Sequence, residues 1–482
     1  MRILMVASEV NPFVKTGGLA DVVYALSKEE AILHHEVSVV LPLYNLIQNK
    51  KQFPMRQIAS FDVHLSWRRQ IATIFQTFVD GITYYFIGND FYFNREGIYG
   101  YQDDIERFAF FNRATLALIN FLNKPFDIIH AHDWQAGMLP VLVRENEREN
   151  SLFTGTKFVL TIHNPAFQGM FDPNLLPDLF ELSFDLYENG AVRFHQQASS
   201  LKAAIIYCDK ITTVSPTHAI ELLTPEGSKG LDAVINYRKD DFIGILNGID
   251  YAEFSPETDY LIAKNFSSKN YISGKKACKV DLLKHLGLPS ESEQPVFGLV
   301  SRLTWQKGLE LYLPGMEMLL QRGSIVIALG SGEYQYEQAL ENLRATYPNQ
   351  VGIYIGYNHE LAHKIYAGSD FFVMPSLFEP CGSGQMIAQR YATLPIVRLT
   401  GGLKDSVVIY DGQNAKQANG FGFEEFQPYW MNLTLDYAHR IYRNKPVLRQ
   451  LMRNALKVDN TWLRSATKYL ELYESALGGK KL

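Results

Sequence analysis

The chain has 482 residues, enough for two or three domains at roughly 100–200 residues each, and its 47% hydrophobic and 20% charged residues exclude a disordered or collagen-like protein. Forty-six Lys and Arg against 51 Asp and Glu give a net charge of −5, which argues against a general nucleic-acid binder built on a basic face. No apolar run approaches the roughly 18 residues of a membrane span, so no membrane partner is expected.

The first six residues, Met1-Arg2-Ile3-Leu4-Met5-Val6, read as a buried strand. As a signal peptide the stretch is too short, and Ser8-Glu9 interrupts it. Further short apolar runs follow at 37–41, 127–129, 158–162, 210–214 and 242–246. A second series lies at 296–300, 324–329, 351–355, 371–374 and 394–397. The runs do not alternate with polar residues, as expected of parallel strands covered by helices on both faces. Two series predict an α/β protein of two doubly wound domains. We place them at 1–260 and 261–460, with a terminal helical segment at 461–482. The cluster Lys275, Lys276 and Lys279 reads as a solvated helix face. Cys208, Cys278 and Cys381 are too scattered for a disulfide framework, which predicts a reducing, cytoplasmic location.

Ligands of doubly wound sheets bind outside the carboxyl ends of the strands, so the residues that end each run are the candidates. The first run leads to Lys15-Thr16-Gly17-Gly18-Leu19-Ala20-Asp21, and this motif echoes in the second half as Thr400-Gly401-Gly402-Leu403-Lys404-Asp405. Paired glycines before a helix let the backbone approach an anion. Other runs end in His130-Ala131-His132-Asp133-Trp134, His163-Asn164, Asn247-Gly248-Ile249-Asp250, Gly356-Tyr357 and Glu379-Pro380-Cys381-Gly382. Arg302 and Lys307 stand five residues apart after the 296–300 run, suited to a diphosphate. His359-Glu360-Leu361-Ala362-His363 matches the H-E-x-x-H zinc pattern, but no third ligand is evident in the sequence and a helix-surface role is the simpler reading. No metal and no cofactor are expected. No P-loop sequence is present, and Cys381 lacks the surroundings of a nucleophile.

Taken together, these segments resemble the bacterial glycogen synthases and plant starch synthases of glycosyltransferase family 5 over nearly the whole chain. The segments Thr213-Val214-Ser215-Pro216-Thr217, Ser301-Arg302-Leu303-Thr304-Trp305-Gln306-Lys307-Gly308 and Phe378-Glu379-Pro380-Cys381-Gly382 carry the same resemblance. It implies the glycosyltransferase-B fold, two Rossmann-like domains facing across a deep cleft, with the terminal helix crossing back onto the first. It implies transfer of glucose from ADP-glucose to the non-reducing 4-OH of an α-1,4-glucan, with retention and without a metal. Arg302 and Lys307 would hold the diphosphate, Glu379 the glucose hydroxyls, and His163 and Asp133 would border glucose and acceptor. Lys15, Gly17, Gly18, Asp21, Asn164, Asn247, Tyr357, Cys381, Gly382, Thr400, Gly401 and Gly402 complete the implied substrate-binding set. Oligomeric state is left open. The chain departs from the family at Leu377, usually Arg, and at Ser383-Gly384, usually Leu then Ser or Thr. Those departures carry a second reading, a weakly active or inactive paralogue that binds glucan or nucleotide as a regulatory partner. They also predict a loosely ordered loop at 381–385, which Ser383→Leu with Gly384→Ser would tighten, raising turnover.

Overall fold

A run of Val, Ile, Leu and Phe with no polar face must be covered on both sides, and the expected runs of both series form such strands. The computed structural model describes residues 1–48 and 53–479. The first unit comprises Met1–Val214, Ala219–Ile245 and Trp462–Leu482, and the second comprises Ser215–His218 and Leu246–Thr461. Residues 480–482 of the expected terminal segment lie outside the described residues.

The first unit carries β1 (Arg2–Val6), β2 (Glu36–Pro42), β3 (Arg56–Leu65), β4 (Arg68–Val79), β5 (Ile82–Gly88), β6 (Ile128–His132) and β7 (Lys157–Ile162). A small separate sheet is made of β8 (Met170–Phe171), β9 (Arg193–Phe194) and β10 (Gln197–Ser199), and β11 (Lys210–Thr213) and β12 (Phe242–Gly244) rejoin the main sheet. Its order is β12-β11-β7-β6-β1-β2-β5-β4-β3, parallel from β12 through β5 and antiparallel across β4 and β3. The apolar-run criterion misses β3, β4 and β5. In β3 and β4 buried and exposed residues are interspersed, as at a sheet edge with one wet face.

The second unit carries β13 (Val296–Val300), β14 (Ile325–Gly330), β15 (Val351–Ile355), β16 (Phe371–Met374), β17 (Leu394–Arg398) and β18 (Phe421–Phe423). All pair in parallel, in the order β15-β14-β13-β16-β17-β18. The strand order reverses between β13 and β16 here, and between β1 and β6 in the first unit. These switch points are where a doubly wound sheet leaves room for a ligand.

The chain enters the second unit at Leu246 rather than near 260. The Ile249 amide donates to the Asn460 carbonyl at 2.8 Å, and the Tyr251 hydroxyl to the Val458 carbonyl at 3.2 Å. These bonds fasten 246–260 to the 458–461 segment. The lysine cluster also departs from expectation. Lys275 and Lys279 are buried, with Lys279 paired to Asp370 at 2.8 Å, and Lys275 donating to Ser369 O at 2.5 Å and to Thr393. Their long apolar stems pack inside, and their charged ends find fixed acceptors. The helix Trp462–Ala476 contributes Trp462, Ala466, Tyr469, Leu472 and Tyr473 to the core of the first unit.

Candidate active site

In the first unit, β1 leads into Ser8 and Glu9, both buried. The Glu9 carboxylate accepts from the Thr16 amide at 2.5 Å and the Thr16 hydroxyl at 2.9 Å. It thereby holds the Lys15-Thr16-Gly17-Gly18 turn, while burial pushes its carboxyl above the usual range despite these bonds. Gly17 caps the helix Gly18–Ile32 without a side-chain hydrogen bond, and the space around Gly18 is open. An uncapped start of a 15-residue helix with free approach suits an anion. Lys15 lies against Asp21, Nζ to Oδ2 2.6 Å, with both half-exposed.

Across the switch point, β6 delivers His130, His132 and Asp133. The His130 and His132 rings stack at 4.2 Å, and His132 Nδ1 lies 3.0 Å from His163 Nε2. His130 is fixed by the Tyr473 hydroxyl and by Thr161, each at 2.7 Å. Burial lowers the pKa of all three imidazoles, His130 and His163 to about 3, so they are neutral at physiological pH. The buried His132 Nε2 has no partner among the described residues. Asp133 holds a strained φ of +56° and accepts from the His163 amide at 2.7 Å. Burial pushes its carboxyl up to about 7. Asn164 turns its side chain onto the Ala166 amide at 3.0 Å. Glu9, His130 and His132 were not among the sequence candidates assigned a role. A carboxylate directly after the first strand was the one signal for Glu9.

In the second unit, Arg302 follows β13. It is exposed, and its guanidinium makes no hydrogen bond or ion pair among the described residues. Lys307 reaches the loop after β16, Nζ to Glu379 Oε2 2.6 Å, and the buried Ser376 hydroxyl donates to the same oxygen at 3.0 Å. Ser376, at the end of the 371–374 run, carries no role in the sequence reading and gains one here as a donor to Glu379. Gly401, at φ +44°, and Gly402 lie so near this loop that added Cβ atoms would fall 2.0 Å from the Glu379 carbonyl and 2.1 Å from that of Cys381. Only glycine fits both positions. The Gly402 amide faces the Glu379 and Pro380 carbonyls at 3.2 Å each, so it is turned into the loop. Thr400 is buried before these glycines. Burial pushes the Cys381 thiol up to about 12, with Asn247 hydrogen-bonded to it. That thiol is no nucleophile at neutral pH. Tyr357 is 86% exposed.

The 381–385 loop is hydrogen-bonded through Gln385. Gln385, fully buried, donates to the Cys381 carbonyl at 3.2 Å, the Gly382 carbonyl at 3.0 Å and Ser406 Oγ at 3.0 Å. Gly384 opens the helix Gly384–Arg390 from a buried position, and a Cβ there would lie 2.9 Å from Phe372 Cε1. Leu377 is half-buried, its amide on the Gln306 carbonyl at 2.9 Å and its own carbonyl held by Arg398. These bonds tie the loop at each end.

Comparison with known proteins bears on both units. Residues 2–237 match the starch synthase catalytic domain, and residues 285–428 match glycosyl transferases group 1. A glycogen synthase of Clostridium beijerinckii is 44% identical over 479 residues, which cover 99% of this chain and 100% of that protein. Among solved structures, the catalytic domain of starch synthase IV from Arabidopsis thaliana, bound to ADP and acarbose, is 34% identical. It superposes with a TM-score of 0.90, covering 99% of each chain. A sucrose-phosphate synthase from Thermosynechococcus elongatus, 16% identical at TM-score 0.61 over 99% of each chain, shares the fold alone.

Proposed function

The chain belongs to the glycogen and starch synthase family, with the glycosyltransferase-B fold, and from that membership we propose how its own residues carry the reaction. It is a glucosyltransferase of glycogen synthesis, acting on a nucleotide-sugar and a glucan. The donor we propose is ADP-glucose, and the acceptor is the non-reducing 4-OH of an α-1,4-glucan, with retention. The ADP bound to the Arabidopsis relative supports the choice of base.

Breaking the bond from the glucose anomeric carbon to the phosphate oxygen leaves positive charge on the sugar and negative charge on the diphosphate. The observation that carries our reading is the pair of cations at adjacent strands: the Arg302 guanidinium after β13, which has no partner among the described residues, and Lys307 held beside the loop after β16. They are assigned to the leaving diphosphate, whose charge grows in the transition state. Glu379, positioned by Ser376 and Lys307, is assigned to the glucose hydroxyls. His163 and Asp133 are assigned to the border of glucose and acceptor, and Lys15 to the nucleotide-sugar. The acceptor attacks from the face that the diphosphate leaves, and the departing phosphate takes up its proton. Thr400, Gly401 and Gly402 are assigned to the substrate-binding set, with both glycines lying against the backbone of the Glu379–Cys381 loop. The three cysteines are free, which fits a cytoplasmic location, and no described helix is long and apolar enough to cross a membrane.

The test is nucleotide release in the presence of glycogen. ADP-glucose should support release well above UDP-glucose. Equal rates would overturn the donor assignment.

A further inference from the structure

The second unit holds a cluster that glucosyl transfer does not use. His359 and His363 face one another from successive turns of the helix His359–Gly368, with their Nε2 atoms 3.3 Å apart. Glu253 comes from a turn over a hundred residues earlier, and its Oε1 lies 3.0 Å from His359 Nε2. The three ligand atoms all lie within 4.8 Å of one another. The pattern in the sequence lacked a third ligand, and the fold supplies it.

The placement of His363 is fixed before any ligand arrives. Its ring is buried and stacks on Phe254 with centroids 4.9 Å apart and planes 19° from parallel. Its Nδ1–H donates to the buried Asp259 carboxylate at 2.7 Å, and Tyr391 donates to the same oxygen at 2.5 Å. With the proton on Nδ1, Nε2 presents a lone pair toward His359. A carboxylate behind a histidine in this way fixes the tautomer and the ring orientation, as it does behind metal-ligating histidines. Three acceptor atoms therefore converge, and the one proton that His359 Nε2 can carry cannot serve both Glu253 and His363.

A cation resolves that shortage. Two nitrogens bound to tetrahedral zinc at roughly 2.0–2.1 Å stand about 3.3 Å from each other, which is the spacing of the two Nε2 atoms. We propose that Glu253, His359 and His363 form a binding site for one Zn²⁺ ion, with Asp259 orienting His363 and the fourth position open to water.

The site is structural rather than hydrolytic. In an H-E-x-x-H protease the glutamate activates the metal-bound water. Here Glu360 is more than half exposed and its nearest cation is Lys364, at 3.6 Å. The ion would instead clamp the Glu253 turn to the start of the helix, two residues after Tyr357.

Zn²⁺ alone, titrated calorimetrically into the full chain, tests the site, with thermal unfolding as a second readout. The expected result is one saturable site per chain and a midpoint raised by several degrees at excess zinc. Glu253→Gln and His359→Ala change half-exposed side chains, so both variants should fold with an unaltered midpoint in EDTA. Each should bind Zn²⁺ at least about a hundredfold more weakly, since even a supporting residue behind a ligand is worth 10–100-fold. Co²⁺ should give the visible spectrum of a tetrahedral site in the unaltered chain and lose it in both variants. No saturable binding to the unaltered chain, or binding of unchanged strength in both variants, overturns the proposal.

Discussion

At the scale of single residues, the Lys307–Glu379 pair has two jobs that mutation separates. Both side chains are largely buried, so removing one partner leaves an uncompensated charge, a loss of about 3–5 kcal/mol for a buried pair. Arg302 is exposed and its side chain has no partner among the described residues, so removing it should leave the fold intact. Arg302→Ala is therefore expected to cut turnover at least about a hundredfold with an unchanged denaturation midpoint. Lys307→Ala should lower turnover and stability together, and adding Glu379→Gln should recover much of the stability but none of the rate. Near-normal ADP release by Arg302→Ala and Lys307→Ala would remove both cations from the leaving group. Chelation should leave the rate standing, because these two cations supply the counter-charge. Loss of activity in EDTA, restored by zinc, in the Glu253→Gln and His359→Ala variants as well would refute that assignment.

Single secondary-structure elements carry the next two expectations. Gly384→Ser places a Cβ against the Phe372 ring, inside a packed strand, and overpacking of this kind costs typically about 1–3 kcal/mol. The expected result is a lower unfolding midpoint and no gain in turnover, the opposite of what the residue pattern alone suggests. A faster Gly384→Ser enzyme would show that the loop, not the contact, governs the step. The helices Gly18–Ile32 and Trp462–Ala476 meet around Glu30, which is fully buried near Tyr473. Burial pushes the Glu30 carboxyl up to about 8, against the pull of Tyr473. The folded protein then holds a proton that the unfolded chain releases near 4.5. Stability from this group is full below about pH 4.5 and is lost as pH rises through about 8. Glu30→Gln should flatten the fall of the melting temperature between about pH 4.5 and 8. Parallel curves for the two proteins would mean that the carboxyl titrates normally.

At the scale of the whole molecule, what could be read from the sequence was whatever was buried on both faces. The runs at 296–300, 351–355 and 371–374 became β13, β15 and β16 with the same limits. The edge strand β3 and its neighbour β4 escaped because Arg68, Gln70 and Thr73 mix with apolar neighbours, a pattern that only pairing partners explain. Among site residues, Arg302, Lys307 and Glu379 were visible as charges at strand ends. Ser376 stood at a run end without a role, and Glu253 was not visible at all, because a serine after a strand or a glutamate in a turn has no meaning until the fold supplies its neighbour. The two units have separate cores, and the helix Trp462–Ala476 belongs to the first. Ending the chain after Thr461 should therefore expose β6 and the helix Gly18–Ile32 to hydrogen exchange, while β13 to β17 stay protected. Faster exchange throughout the second unit instead would contradict that division.

That division also sets a timetable for synthesis. The first unit leaves the ribosome lacking the helix that covers His130, and everything from Leu246 to Thr461 must be translated before it arrives. At about 5–20 residues per second the delay is on the order of ten to forty seconds. Throughout that interval the apolar surface awaiting Tyr469 and Tyr473 is uncovered on the nascent chain, so this patch is where a ribosome-associated chaperone would find most to hold.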